Sequence, residues 1–161
     1  MPGEPAPNLA SSINDPAASP PSDSFLEFNP RGPNKHLTGL LHPLTVSKAK
    51  ALGEEADRLT KRLYPDDPIA GRRRHNDQAD AFRHAYWNYQ MTKAFGPDRA
   101  RNFSNAYEIS HPNPEGERCM DLYNNQMGRE LAEAGDRPAI ETIQGAIAQG
   151  LTRNSPYGRG R

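Results

Sequence analysis

The chain has 161 residues, with 20 basic and 20 acidic side chains, a formal net charge of zero and a hydrophobic share of only 34%. That balance argues against a nucleic-acid binder, because phosphate binding is carried largely by Lys and Arg. The one cysteine, Cys119, excludes an internal disulfide framework, and no stretch approaches the ~18 consecutive apolar residues of a membrane span.

Nine of the 16 prolines fall in residues 1–43, among Ser, Asn and Ala. Such a stretch cannot bury enough apolar surface to offset the entropy of ordering it, so it reads as a disordered, Pro-rich arm. Its apolar clusters, Phe25, Leu26 and Phe28, then Leu37, Leu40 and Leu41, are candidates for docking onto the domain or a partner. A first helix is expected from Ser47 to Leu63, capped by Thr45 or Ser47, with Val46, Ala49, Leu52, Ala56, Leu59 and Leu63 on one stripe. A polar loop follows to Asn76, carrying Arg72, Arg73, Arg74 and His75.

The second helix is expected from Asp77 to Ala94, with Asn76 or Asp77 as its cap and Gly96 as its stop. Pro97 opens a third helix that runs to Ile109. After Pro112-Asn113-Pro114, Asn113 is expected to cap a fourth helix that ends at Ala134 before Gly135. On that helix Cys119 reads as a small buried group rather than a nucleophile. Asp136 and Pro138 start a fifth helix, with Ile140, Ile143 and Ile147 on one face. No segment alternates with period two. The expected fold is all-α: a compact bundle of about five helices over residues 44–151, between the arm and a flexible basic tail at 152–161.

The chemistry concentrates between Asp77 and Arg129. Asp80 and His84 are one turn apart, so the carboxylate can hold one imidazole nitrogen and sharpen the other as a base or metal ligand. Arg83 points about 100° from His84 and is placed to hold an anion or a carboxylate of a neighbouring helix. Phe82, Tyr86, Trp87 and Tyr89 leave that helix little surface for water. On the fourth helix Asp121, Asn125 and Gly128 share a face, beside Asn124 and ahead of Arg129. A mid-helix Gly costs about 1 kcal/mol relative to Ala, which points to close approach of a backbone or a ligand. Adjacent mid-helix Asn residues are poor helix formers, which points to a side-chain role or a buried amide network.

Glu108 and His111 end the third helix on one side. The expected catalytic set is Asp80, Arg83, His84, Glu108, Asp121 and Asn125, with Asn124, Arg129 and Trp87 holding substrate. The expected ligand set for a divalent ion, Zn²⁺ or Mn²⁺, is His84, Glu108, His111 and Asp121. A metal-free site, with Glu108 or His84 as base and Arg83 or Arg129 beside an anion, is equally open. No Walker loop, GxGxxG or GxSxG motif is present.

The runs Asp80-Ala81-Phe82-Arg83-His84-Ala85-Tyr86-Trp87 and Met120-Asp121-Leu122-Tyr123-Asn124-Asn125-Gln126-Met127-Gly128-Arg129, with Glu108 between them, resemble an uncharacterised all-α domain family of bacterial polymorphic or secreted toxins and phage-associated proteins. Members often carry His immediately before that Glu, where this chain has Tyr107. The resemblance implies a small effector, a toxin-like antibacterial hydrolase whose motif residues line the site. Its expected substrate is in the cell envelope, cell wall or phospholipid. The expected partners are an immunity protein and a secretion carrier, and the expected route is export from the bacterial cytoplasm without a cleaved signal peptide. The alternative reading is a non-enzymatic secretion- or phage-associated interaction module, or a helical nuclease or nucleic-acid binder.

Overall fold

The computed structural model describes residues 43–66, 76–111 and 113–156. Residues 1–42, the basic loop with Arg72, Arg73, Arg74 and His75, and the last five residues lie outside the described residues. Five helices follow in order: α1 Pro43–Leu63, α2 Gln78–Phe95, α3 Pro97–Ser110, α4 Glu115–Glu133 and α5 Ala139–Ala148. The fold is an all-α bundle, with no strand among the described residues.

The hub is α2, which packs against each of the other four helices. Asp77 starts it, its Oδ1 accepting from the backbone N–H groups of Ala79 and Asp80 at 2.9 and 3.0 Å. Phe82 and Met91 are fully buried on it, and burying a side chain of that size contributes about 1.5–3 kcal/mol. Its aromatic residues reach outward through their polar tips. The Trp87 indole donates to the Ala49 carbonyl on α1 at 2.9 Å, and the Tyr89 hydroxyl to the Arg137 carbonyl at 2.7 Å. The Tyr86 hydroxyl donates to Glu55 on α1 at 2.8 Å.

The mid-helix Gly128 is explained by a backbone rather than by a ligand. A β-carbon there would stand 2.1 Å from the Ala85 carbonyl oxygen of α2. Only glycine lets α4 come this close, and the approach brings the polar faces of α2 and α4 together.

Several boundaries differ from expectation. Helix α1 begins at Pro43 rather than Ser47. Proline lacks the N–H that a first helical turn leaves unpaired anyway, and its φ is already helical. Leu44 and Val46 are exposed, so docking starts at Ala49. Asn113 does not cap α4: Pro114 stands there without a side-chain cap, and the Asn113 amide donates to Asp121 Oδ2 at 3.3 Å. Cys119 is exposed rather than buried. Residues Leu151–Pro156 continue past α5, with the Arg153 backbone N–H and carbonyl both bonded to the Asn124 amide, at 2.9 and 2.7 Å. The Arg153 guanidinium lies over the Tyr123 ring, 4.3 Å from its centre.

Candidate metal centre and its cavity

His84 sits at the meeting of α2, α3 and α4, buried like its polar neighbours Asp80, Glu108, Asp121 and Asn125. The protonation of its ring follows from a chain of bonds that begins at Arg129. A guanidinium only donates, and Arg129 Nη1 donates to Asn88 Oδ1 at 2.9 Å. The amide nitrogen of Asn88 therefore faces the other way, donating to the His84 backbone carbonyl at 3.2 Å and to Asn125 Oδ1 at 2.7 Å. That fixes Asn125 in turn, with its nitrogen toward Glu108 Oε1 at 3.3 Å. His84 Nδ1 lies 3.2 Å from the same Asn125 oxygen, which can only accept. So Nδ1 carries the hydrogen, and in the neutral form of the ring the lone pair is on Nε2, facing the other way.

That lone pair faces two carboxylates. Asp121 Oδ1 is 3.3 Å and Asp80 Oδ1 3.6 Å from Nε2. A nitrogen lone pair and two carboxylate oxygens repel one another unless a proton or a metal cation joins them. Ligands ~2.1 Å from a tetrahedral ion stand ~3.4 Å apart, close to both distances. One ligand atom from each of Asp80, His84 and Asp121 lies within 4.8 Å of the other two, so the group could hold a metal ion. Asp121 Oδ1 is buried and accepts no hydrogen bond, a costly state for a carboxylate oxygen that nothing coordinates. Burial, then the nearby Glu108 and Asp80 charges, pushes the Asp121 carboxyl up to about 7. Burial also raises Glu108.

Asp80 is held from both sides. Its Oδ2 accepts from the backbone N–H of Asn76 at 2.9 Å, and its Oδ1 accepts from Arg83 Nη2. Asn76 itself stands in the left-handed region, φ 55°, a conformation Asn tolerates better than most residues. Arg83 Nη2 also lies 3.1 Å from His84 Nε2. The arginine thus folds back over its own helix instead of reaching a neighbouring one. The Asp80–His84 distance is too long for a hydrogen bond, so Asn125 and not Asp80 sets the tautomer.

Expected site residues fall into distinct places. Asp80, Arg83, His84 and Asp121 share the Nε2 side. Asn125 and Glu108 share the Nδ1 side, with Glu108 Oε1 3.8 Å from Nδ1 and outside the candidate ligand group. Arg129 is buried behind them, and burial, then the Arg101 charge, lowers it to about 10. Asn124, one residue from Asn125 and so turned to another face, holds the Arg153 backbone rather than a substrate. His111 is exposed and outside the ligand group; it follows the last turn of α3, where its ring stacks on Tyr107 and its Nδ1 lies 3.0 Å from the Tyr107 carbonyl oxygen. Trp87 lines a cavity of about 530 Å³ that opens beside His84 and Arg83.

Two parts of this site were not read from the sequence. Asn88 is the link between Arg129 and Asn125, and it stands one turn beyond His84. The same poor helix propensity that marked Asn124 and Asn125 applies to it. The far wall of the cavity is α1, through Lys50, Gly53, Glu54, Asp57 and Arg58. Their recurrence at steps of three and four marks a polar stripe opposite the apolar one.

A family model described as a domain of unknown function (DUF6973) matches residues 36–155. The chain belongs to that family. The DUF6973 match takes in every residue of the site and reaches past 44–151 at both ends, to include Arg153 and its clamp. No curated protein and no solved structure matches the chain.

Proposed function

We propose that this protein is a metal-assisted hydrolase in which Asp80, His84 and Asp121 hold the ion. The observation that carries this reading is the orphaned Asp121 Oδ1, aimed at a histidine lone pair whose direction the Arg129–Asn88–Asn125 chain dictates. A mixed nitrogen and oxygen donor set with one imidazole suits Zn²⁺ or Mn²⁺. Bound there, such an ion would supply Lewis acidity and a hydroxide nucleophile near neutral pH. The protein's own contribution is orientation: Asn125 fixes the His84 ring, and backbone N–H bonding fixes Asp80. Substrate enters through the 530 Å³ cavity, whose volume suits a small molecule or the head of a larger one.

The toxin-like effector role and a cell-envelope substrate rest on the motif resemblance. Phospholipid headgroups are favoured over cell wall by the cationic side chains Lys50, Arg58 and Arg83 around the cavity.

The test is metal analysis and activity together. Protein stripped with chelator and reloaded should take up one Zn²⁺ or Mn²⁺, and Asp121→Asn should lose that uptake while keeping its helical signal. The reloaded wild type should hydrolyse phospholipid, with muropeptides as the contrasting substrate. Expression with a periplasmic signal should then be toxic, and His84→Ala should remove the toxicity. Stoichiometric metal uptake undiminished in Asp121→Asn would sink the ligand assignment.

The second reading is an interaction module without catalysis. It is favoured by the depth of the Arg129–Asn88–Asn125–Glu108 network, which can specify how the helices pack. It predicts no toxicity in either compartment.

A further inference from the structure

Arg83 is the one cation at the Nε2 side among the described residues. Its Nη2 bonds Asp80 Oδ1 and stands 3.1 Å from His84 Nε2. That puts a positive group among the very atoms that would bind an ion. Yet the arginine is held only at its tip. Its Nε is buried and donates no hydrogen bond, and its side chain is 39% exposed, along the wall of the cavity. A guanidinium cannot share this place with a divalent cation: the two charges repel, and Asp80 Oδ1 and the Nε2 lone pair cannot serve both.

The same cavity carries two further cations on α1, Lys50 and Arg58. Neither has an ion-pair partner among the described residues. Of the two acidic residues on that wall, Asp57 is neutralised by Lys61 at 2.5 Å, leaving Glu54. Three cations against one carboxylate make the cavity attractive to an oxyanion once Arg83 faces it.

We propose that Arg83 is a tethered stand-in for the divalent cation, and that on metal binding it turns into the cavity to form, with Lys50 and Arg58, the binding site for a substrate oxyanion of the phosphate class. This rests on the metal reading above. It makes anion binding conditional on the metal: the metal-free protein keeps its third cation tied to Asp80, and the loaded protein releases it. The two ligands are therefore coupled, and each tightens the other.

The experiment is titration calorimetry with Mn²⁺ and with inorganic phosphate, each alone and in the presence of the other. Trp87, the only tryptophan, lines the cavity and gives a fluorescence readout of the same events. In the wild type, phosphate should bind about tenfold or more tightly once Mn²⁺ is present. Arg83→Gln should bind Mn²⁺ about tenfold or more tightly than wild type, because the competing cation is gone, and should lose the coupling to phosphate. Lys50→Gln and Arg58→Gln should weaken phosphate binding and leave Mn²⁺ affinity as it was; both lie on α1, so they also guard against a folding defect in the arginine variant. Mn²⁺ binding to Arg83→Gln that is equal to or weaker than wild type overturns the stand-in. So does phosphate coupling that survives in Arg83→Gln, which would mean that phosphate sits on the metal alone. Absence of Mn²⁺ and Zn²⁺ binding in both proteins overturns the metal reading itself, a separate result.

Discussion

The two nitrogens of His84 look out on opposite kinds of surroundings. Beyond Nδ1 an unbroken chain of hydrogen bonds runs from Arg129 to Asn88, from Asn88 to Asn125, and from Asn125 to Glu108 and to the ring. Beyond Nε2 lie two carboxylates, one with a buried oxygen that has no donor, and an arginine bound by its tip, and the ring and the arginine line an open cavity. The satisfied side resembles a protein interior doing what interiors do. The unsatisfied side costs stability that a bound cation could return. One imidazole ring divides a bonded network from a candidate metal site, and the divide can be tested by substitution on each side of it.

The largest effect is expected where both sides depend on one contact. Gly128→Ala drives a methyl into the Ala85 carbonyl. It should destabilise the fold by about 3 kcal/mol or more, read as a drop in the urea midpoint, and should disorder both sides at once. An unchanged midpoint would mean that the α2–α4 approach is looser than described.

Asn125→Ala breaks the Nδ1 side alone. It strands the His84 Nδ1 hydrogen and a Glu108 oxygen, and should cost roughly 2–4 kcal/mol. It should also weaken metal binding, because the ring loses its orienting partner. Stability preserved in this variant would show that the amide chain does not hold the core.

Asp121→Asn on the Nε2 side should act in the opposite direction on the metal-free protein. The raised carboxyl lets the folded state keep a proton that the unfolded chain releases between 3.8 and about 7. The native state then binds more protons than the unfolded one, so wild-type stability falls as pH rises through that window. The amide cannot ionise, so this part of the slope vanishes. Above neutrality the variant should be the more stable, by up to roughly 4 kcal/mol. Thermal midpoints in chelator at pH 5 and pH 8 measure the difference, and parallel falls in both proteins would refute it.

The smallest effect is expected from Asn124→Ala, outside both sides. Losing two bonds to the Arg153 backbone should cost on the order of 1 kcal/mol and speed amide exchange at Arg153, with metal binding untouched.

The sequence was most legible where chemistry is local. Prolines and glycines punctuated the helices to within a few residues, because a missing N–H or a positive φ acts on its own turn. Gly128 could be flagged from its cost alone, though not whether a backbone or a ligand explained it. His84, Asp80 and Asp121 stood out as polar groups among residues that want burial. Which nitrogen faces which partner could not be read, because Asn88, Asn125 and Arg129 meet across 37 and 41 positions of chain, and spacing within one helix says nothing about that. His111 misled for a related reason. Its place beside Glu108 in sequence fits one site, but α3 ends before it and the ring folds back on Tyr107.

Gly96 alone separates α2 from α3, at φ 90°. Two helices joined by a single residue are phased like gears on one shaft. An extra residue that prolonged either helix would turn Glu108 by about 100°, away from Asn125, although it would be inserted three turns off. The length of that link is thus a specification of the site in its own right, and one that a search for reactive side chains would pass over.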